Sequence, residues 1–189
     1  MTETRSVIPE VDLLKRARKG DQAAFGELVK RYQDMVFTLV CRTLGRSERA
    51  ADVSQEVFIR AWRGLSNFQE KSKFSSWLYR ITVNCCISEI RKSGKMVDDL
   101  GSEELETLRI PTAENDHFEK QVEKKDLIER LLSQLPPLYR TMVVLHYLQD
   151  LDLQEIAIIL DRPLGTVKAY LHRARKHLRQ HAEMLLINE

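Results

Sequence analysis

Apolar positions recur every three to four residues along most of the chain, and the breaks fall at glycine, proline and capping residues. The spacing predicts a short helix over 11–19, ended by Gly20. Asp21 caps a second helix that runs to about Leu44, with Phe25, Leu28, Val29, Tyr32, Val36, Leu39 and Val40 on its buried face. Gly45 ends it, and Ser47 caps a third helix over about 48–63, ended by Gly64. A loop from Leu65 to Lys73 leads into a fourth helix from Phe74 to about Lys92, ended near Gly94.

The periodicity lapses over 95–118. From Asp98 to Asp126 ten acidic residues stand against four basic ones, and Ile110-Pro111-Thr112 breaks any helix. A segment of this length and charge is expected to be a flexible acidic linker. Helical pattern resumes near Phe118 and stops at Pro136-Pro137, and a helix from Leu138 to about Gln149 follows. Asp152 and Glu155 have the spacing of a capping box for the next helix, whose apolar stripe is Leu153, Ile156, Ala157 and Leu160. Asp161-Arg162-Pro163 makes a turn. Gly165-Thr166 opens a last helix with Val167, Leu171, Ala174 and Leu178 facing inward. The expected fold class is all-α: two small helical domains, 1–94 and 119–189, joined by the linker 95–118.

Composition agrees with that class. Seven glycines and five prolines in 189 residues are too few for a sandwich or barrel, which needs frequent turns. Hydrophobic residues at 43% suffice for a core, and charged residues at 31% suit helical surfaces. Cys41, Cys85 and Cys86 include no C-x-x-C pair, so neither a zinc site nor a disulfide framework is expected. The start, Met1-Thr-Glu-Thr-Arg, lacks the apolar stretch of a secretory signal, and no apolar run approaches the ~20 residues of a membrane span. A cytoplasmic location without membrane insertion is expected.

The net charge of +2 suggests nothing about nucleic acid until it is divided along the chain. From Asp161 to His181 six Lys and Arg residues accompany one Asp. Two short helices, a turn and a basic second helix fit a helix-turn-helix, whose second helix can enter a major groove. Lys168, His172, Arg175, Lys176 and Arg179 then face outward, with Arg173 flanking. The bland alternative is a solvated basic helix. From Arg60 to Lys95 eight basic residues accompany two acidic ones. At about 100° per residue, Arg80, Asn84 and Arg91 share one face of the fourth helix beside Trp77. The preceding loop holds Phe68, Lys71, Lys73 and Phe74. Cations interleaved with aromatic rings are suited to single-stranded nucleic acid. Each residue alone is equally compatible with a structural role.

Five segments resemble the bacterial ECF (extracytoplasmic function) sigma factors. They are Gly20-Asp21-Gln-Ala-Ala-Phe25, Asp52-Val-Ser-Gln-Glu-Val-Phe-Ile-Arg-Ala-Trp62, Phe74-Ser-Ser-Trp-Leu-Tyr-Arg-Ile-Thr-Val-Asn84, and Leu135-Pro-Pro-Leu-Tyr-Arg140 with Pro163-Leu-Gly-Thr-Val-Lys168. The resemblance covers nearly the whole chain in order. It implies a non-enzymatic subunit that binds core RNA polymerase through the β′ clamp helices and the β flap and directs transcription from specific promoters. It implies polymerase contacts at Asp52, Gln55, Glu56, Ile59 and Arg60. It implies −10 DNA contacts at Phe68, Lys71, Lys73, Trp77, Arg80, Asn84 and Arg91, with Phe68 and Asn84 mapping to a pocket for a flipped base. It implies −35 duplex contacts at Thr166, Lys168, Ala169, His172, Arg173 and Lys176.

The resemblance also implies an anti-sigma partner and no catalytic residue, metal or cofactor. The family often has an acidic residue before Leu-Arg late in the fourth helix, and Glu89 is the nearest candidate here. Residues Gln69, Glu70, Lys71 and Ser72 of the flip loop are particular to this chain. Fully extended, the 24 linker residues reach about 80–86 Å, against about 85 Å between elements roughly 25 base pairs apart. The alternative is an operator-binding helix-turn-helix regulator that acts without polymerase; an enzymatic first half has no supporting motif.

Overall fold

A computed structural model describes residues 8–45, 48–69, 72–93 and 123–187, with side chains from 128 to 182 in the last stretch. Every element among them is helical. The order is α1 (Glu10–Arg18), α2 (Gln22–Leu44), α3 (Ala50–Gly64), a 3-10 turn (Leu65–Asn67), α4 (Phe74–Lys92), α5 (Glu123–Ser133), α6 (Pro137–Val143), a π segment (Val144–Leu148), α7 (Leu153–Leu160) and α8 (Leu164–Ile187). The expected cap of Ser47, the stop near Gly94, the linker 95–118 and the helical restart at Phe118 lie outside the described residues.

Local chemistry explains the element ends. The Asp21 carboxylate accepts the Ala24 amide at 3.0 Å and caps α2. That amide, and then the Arg16 guanidinium at 2.8 Å, holds the Asp21 carboxyl below its ordinary value. Gly45 closes α2 in the left-handed region at φ 71°. The capping box of α7 is complete: Asp152 accepts from Gln154 and Glu155 at 2.8 Å, and Glu155 accepts from the Asp152 amide at 3.2 Å. Two expectations are refined. Gly64 ends α3 as expected, but the chain continues straight into the 3-10 turn. The helix expected from Leu138 to Gln149 begins at Pro137 and widens after Val143, where the Gln149 amide reaches back five residues to Val144 O at 3.0 Å.

Two apolar cores result. The first gathers Leu13, Leu28, Val36, Val57, Leu65 and Leu78 from α1 to α4. The second gathers Leu132, Met142, Leu145, Ile156, Ile159, Val167 and Leu171, and it also takes in Leu39, Tyr79 and Val83 from the first half. Cys85 and Cys86 are buried; burial pushes both thiols up, Cys86 to about 12, so they behave as small apolar fillers.

The junction between the halves is therefore packed. α4 lies against α7 and α6, and α2 against α6 and the π segment. Tyr79 Oη donates to Gln149 Oε1 at 2.8 Å. Arg140 is the second polar tie. Its Nη1 donates to Thr43 O at 3.2 Å, and its Nη2 donates to Ser133 O and Leu135 O at 3.0 Å each. A Cβ on Gly45 would sit 2.8 Å from Arg140 Nη1, so the glycine serves both the left-handed turn and the approach of the guanidinium.

Candidate nucleic-acid interface

α3 has one buried and one open face. Ala50, Val53, Val57 and Ala61 point into the first core. Asp52, Gln55, Ile59 and Arg60 are exposed on the other side, with Glu56 partly so. The residues assigned to polymerase docking thus share one face, including the exposed apolar Ile59. Arg60 Nε donates to Glu56 Oε1 at 2.6 Å, which holds the Glu56 carboxyl below its ordinary value. Arg49 lies 3.6 Å from Asp52 and 3.4 Å from Glu89, so Glu89 ties the start of α3 to the end of α4.

Between α3 and α4 the chain builds a hollow. Leu65 and Phe68 turn inward, and the rings of Phe68, Phe74 and Trp77 cluster with centroids 5.1, 5.6 and 5.7 Å apart. Above this cluster lies a cavity of about 350 Å³ lined by Arg60, Gly64, Asn67, Trp77, Ile81 and Asn84. A Cβ on Gly64 would meet Trp77 Cζ2 at 3.3 Å, so the missing side chain lets the indole lie close against α3.

This geometry redistributes the expected −10 residues. Trp77 and Asn84 meet in the cavity. Phe68 does not line it: only 3% exposed, the ring is committed to the aromatic cluster beneath, because a ring flanked by Leu65 and Phe74 gains more from burial than from standing open. Arg60, expected on the polymerase face, also forms part of the cavity wall. Lys73, Arg80 and Arg91 are exposed around it, and Lys71 lies outside the described residues. Gly64, Asn67 and Ile81 were missed. No sequence pattern marks them, since their common property is convergence from three elements.

The second surface is a ridge. α7 and α8 meet at the left-handed Asp161, φ 52°, and bury Ile156, Ile159, Val167, Leu171 and Ala174 between them and α6. Ile159 was absent from the expected stripe, which Leu153, Ala157 and Leu160 join only as partly buried residues. Lys168, Arg175, Lys176 and Arg179 are exposed; Thr166, Ala169, His172 and Arg173 are partly so. The Arg173 guanidinium lies 6.0 Å from the Tyr170 ring centroid, at the flank of the ridge.

The two surfaces approach each other at the junction. Lys73 Nζ lies 3.6 Å from Glu155 Oε1, and Arg80 Nη2 lies 4.0 Å from Asp161 Oδ2. Both acids belong to α7 or its C-cap, so two cations of the first surface face carboxylates of the second half. Among the described residues no cluster of His, Cys, Asp and Glu could hold a metal, and no helix is long and apolar enough to cross a membrane.

Known proteins are similar to this chain in sequence and in fold. A family model described as Sigma-70 region 2 matches residues 28–96, and one described as Sigma-70, region 4 matches residues 125–178. The chain is 39% identical over 174 residues to the ECF RNA polymerase sigma factor SigW of Bacillus subtilis, covering 88% of this chain and 93% of that protein. It is 35% identical over 183 residues to the ECF RNA polymerase sigma-E factor of Escherichia coli K12, covering 92% and 94%. The fold is similar to that of CnrH in complex with the cytosolic domain of CnrY, with a TM-score of 0.64 and 23% identity over 91% of this chain and 96% of that one. It is equally similar to the sigma factor RpoE in complex with the anti-sigma factor NepR from Bartonella quintana, with a TM-score of 0.64 and 21% identity over 84% and 96%.

Proposed function

The chain belongs to the ECF sigma factors of bacterial RNA polymerase, and on that premise we propose how its surfaces divide the work of promoter-specific transcription initiation. Sigma factors are non-catalytic regulatory subunits. This chain acts as such a subunit in the cytoplasm, and its three segments, 1–94, 95–118 and 119–189, serve respectively −10 recognition, tethering and −35 recognition. The α3 face of Asp52, Gln55, Glu56 and Ile59 docks on the β′ clamp helices, and the 119–189 segment meets the β flap. An anti-sigma factor restrains the protein by covering these faces; the structurally similar sigma factor RpoE of Bartonella quintana is in complex with the anti-sigma factor NepR.

The observation that carries the reading is the cavity beside α4. Stacking on Trp77 returns part of the few kcal/mol spent in unstacking a base. The Asn84 carboxamide offers one donor and one acceptor to its edge. Arg80, Arg91 and Lys73 follow the strand phosphates. On the ridge, Lys168 and His172 near the start of α8 reach base edges, while Arg173 and Lys176 meet the backbone. In the packed arrangement Glu155 and Asp161 occupy the neighbourhood of Lys73 and Arg80. A DNA strand must displace these carboxylates, so promoter engagement and parting of the halves go together.

Run-off transcription with core polymerase tests the assignment. The full chain is expected to yield promoter-specific transcripts. Asn84→Ala is expected to impair promoter opening, seen by permanganate reactivity of the melted strand, while polymerase binding persists. Dimeric duplex binding with no polymerase-dependent transcript would favour an operator-binding regulator instead.

A further inference from the structure

The cavity wall contains more than the reading above uses. Of its six residues, Trp77 and Ile81 present apolar surface, which accepts every base alike. Gly64 provides clearance. Arg60 only donates, and its Nε is already held by Glu56 at 2.6 Å. Of the wall residues only Asn84 on α4 and Asn67 on the 3-10 turn carry side-chain donors and acceptors together, so a base edge that presents both is met by these two carboxamides.

Asn67 is well held for such work. Its neighbours on either side of the wall are anchored: Leu65 is 1% and Phe68 3% exposed, and the Phe68 amide closes the turn on Leu65 O at 3.2 Å. The Asn67 residue itself is exposed, and among the described residues neither its side chain nor that of Asn84 has a hydrogen-bond partner. Two unengaged amides thus converge on one cavity from separate rigid elements. A base edge between them can meet two donors and two acceptors, where Asn84 alone supplies one of each.

We infer that Asn67 is a specificity-determining residue, reading the edge of the unstacked base opposite Asn84. The inference rests on the cavity being a base pocket. It places part of the base selection on the 3-10 turn Leu65–Asn67. Phe68, the neighbouring aromatic, acts beneath the pocket as the anchor that aims Asn67.

The test uses holoenzyme assembled from the full chain and core polymerase, with fork-junction promoter DNA whose −10 strand carries each of the four bases, or an abasic residue, at one position at a time. Wild type is expected to prefer one base at the pocket position. Asn67→Ala is expected to flatten that preference about tenfold, within the range of one lost polar base contact, with binding to the abasic probe unchanged. Asn67→Ser, which keeps a shorter donor and acceptor, is expected to fall between. Because Asn67 is exposed, its variants should melt like wild type, and a folding defect would appear equally on the abasic probe. A full base preference in Asn67→Ala, with a flattened one in Asn84→Ala, would overturn the inference and leave the pocket intact. No base preference affected by either variant would overturn the pocket itself.

Discussion

Around α4 the chain folds a hollow, walled by an indole, two amides and a guanidinium from three elements. Along α8 it leaves a ridge, where Lys168, Lys176 and Arg179 stand on a helix packed down by Val167, Leu171 and Ala174. Both surfaces are basic, so charge does not separate them; shape and side-chain type do. In the reading proposed above, a hollow with rings and amides is suited to one base removed from its stack, and a ridge to the major groove of an intact duplex, held through phosphates and base edges. The proposal thus gives the two surfaces DNA in two different physical states, and the halves that bear them are packed together across a shared apolar junction.

The largest test of that division is Leu39→Ala. Leu39 is fully buried, sits on α2, and packs in the core of the second half. Its truncation is expected to cost about 2–5 kcal/mol. Both tryptophans, Trp62 and Trp77, lie in the first half, so fluorescence reports that half while circular dichroism reports the whole chain. Both transitions should shift to lower temperature together; a circular-dichroism melt that splits, with only the part that follows the fluorescence displaced, would show that the junction does not couple the halves.

Gly64→Ala sharpens the hollow's side of the comparison. Trp77 is backed by Phe68 and Phe74, so a new Cβ at 3.3 Å pushes on a ring with little room to retreat. Overpacking of this kind costs about 1–3 kcal/mol. Promoter opening should weaken while binding to a −35 duplex is unchanged; equal loss at both would mean that the substitution acts through folding. The smallest effect concerns the ridge. Arg173→Ala with Lys176→Ala should reduce the salt slope of −35 duplex binding by about 0.9 per residue. Unchanged slopes would remove these two side chains from the phosphate contacts.

Much of the fold was legible because it is written in periodicity and caps. The spacing of Leu28, Val36, Leu39 and Val40 marks α2, Gly45 marks its end, and Asp152 with Glu155 marks the start of α7. Periodicity says that a position is buried, not against what. Leu39, Tyr79 and Val83 therefore read as ordinary core, and their packing on the second half was invisible. The widened turn after Val143 has no residue signature either. In the site, Trp77 and Asn84 were accessible as members of one helical face. Asn67, Gly64 and Ile81 were not, since a cavity is a property of three elements meeting. Phe68 was misplaced relative to the cavity because resemblance carries residue identity, whereas burial depends on how Leu65 and Phe74 close around the ring.

The apolar character of the junction also makes it a thermal element. Hydrophobic contacts weaken on cooling and change heat capacity when they open, whereas hydrogen bonds such as Tyr79 to Gln149 do not share that dependence. Leu39, Tyr79 and Val83 thus tie the balance between joined and parted halves to temperature. A colder chain holds its two DNA surfaces together less firmly, and calorimetry of the parting should register a positive heat-capacity change in proportion to the surface these side chains uncover.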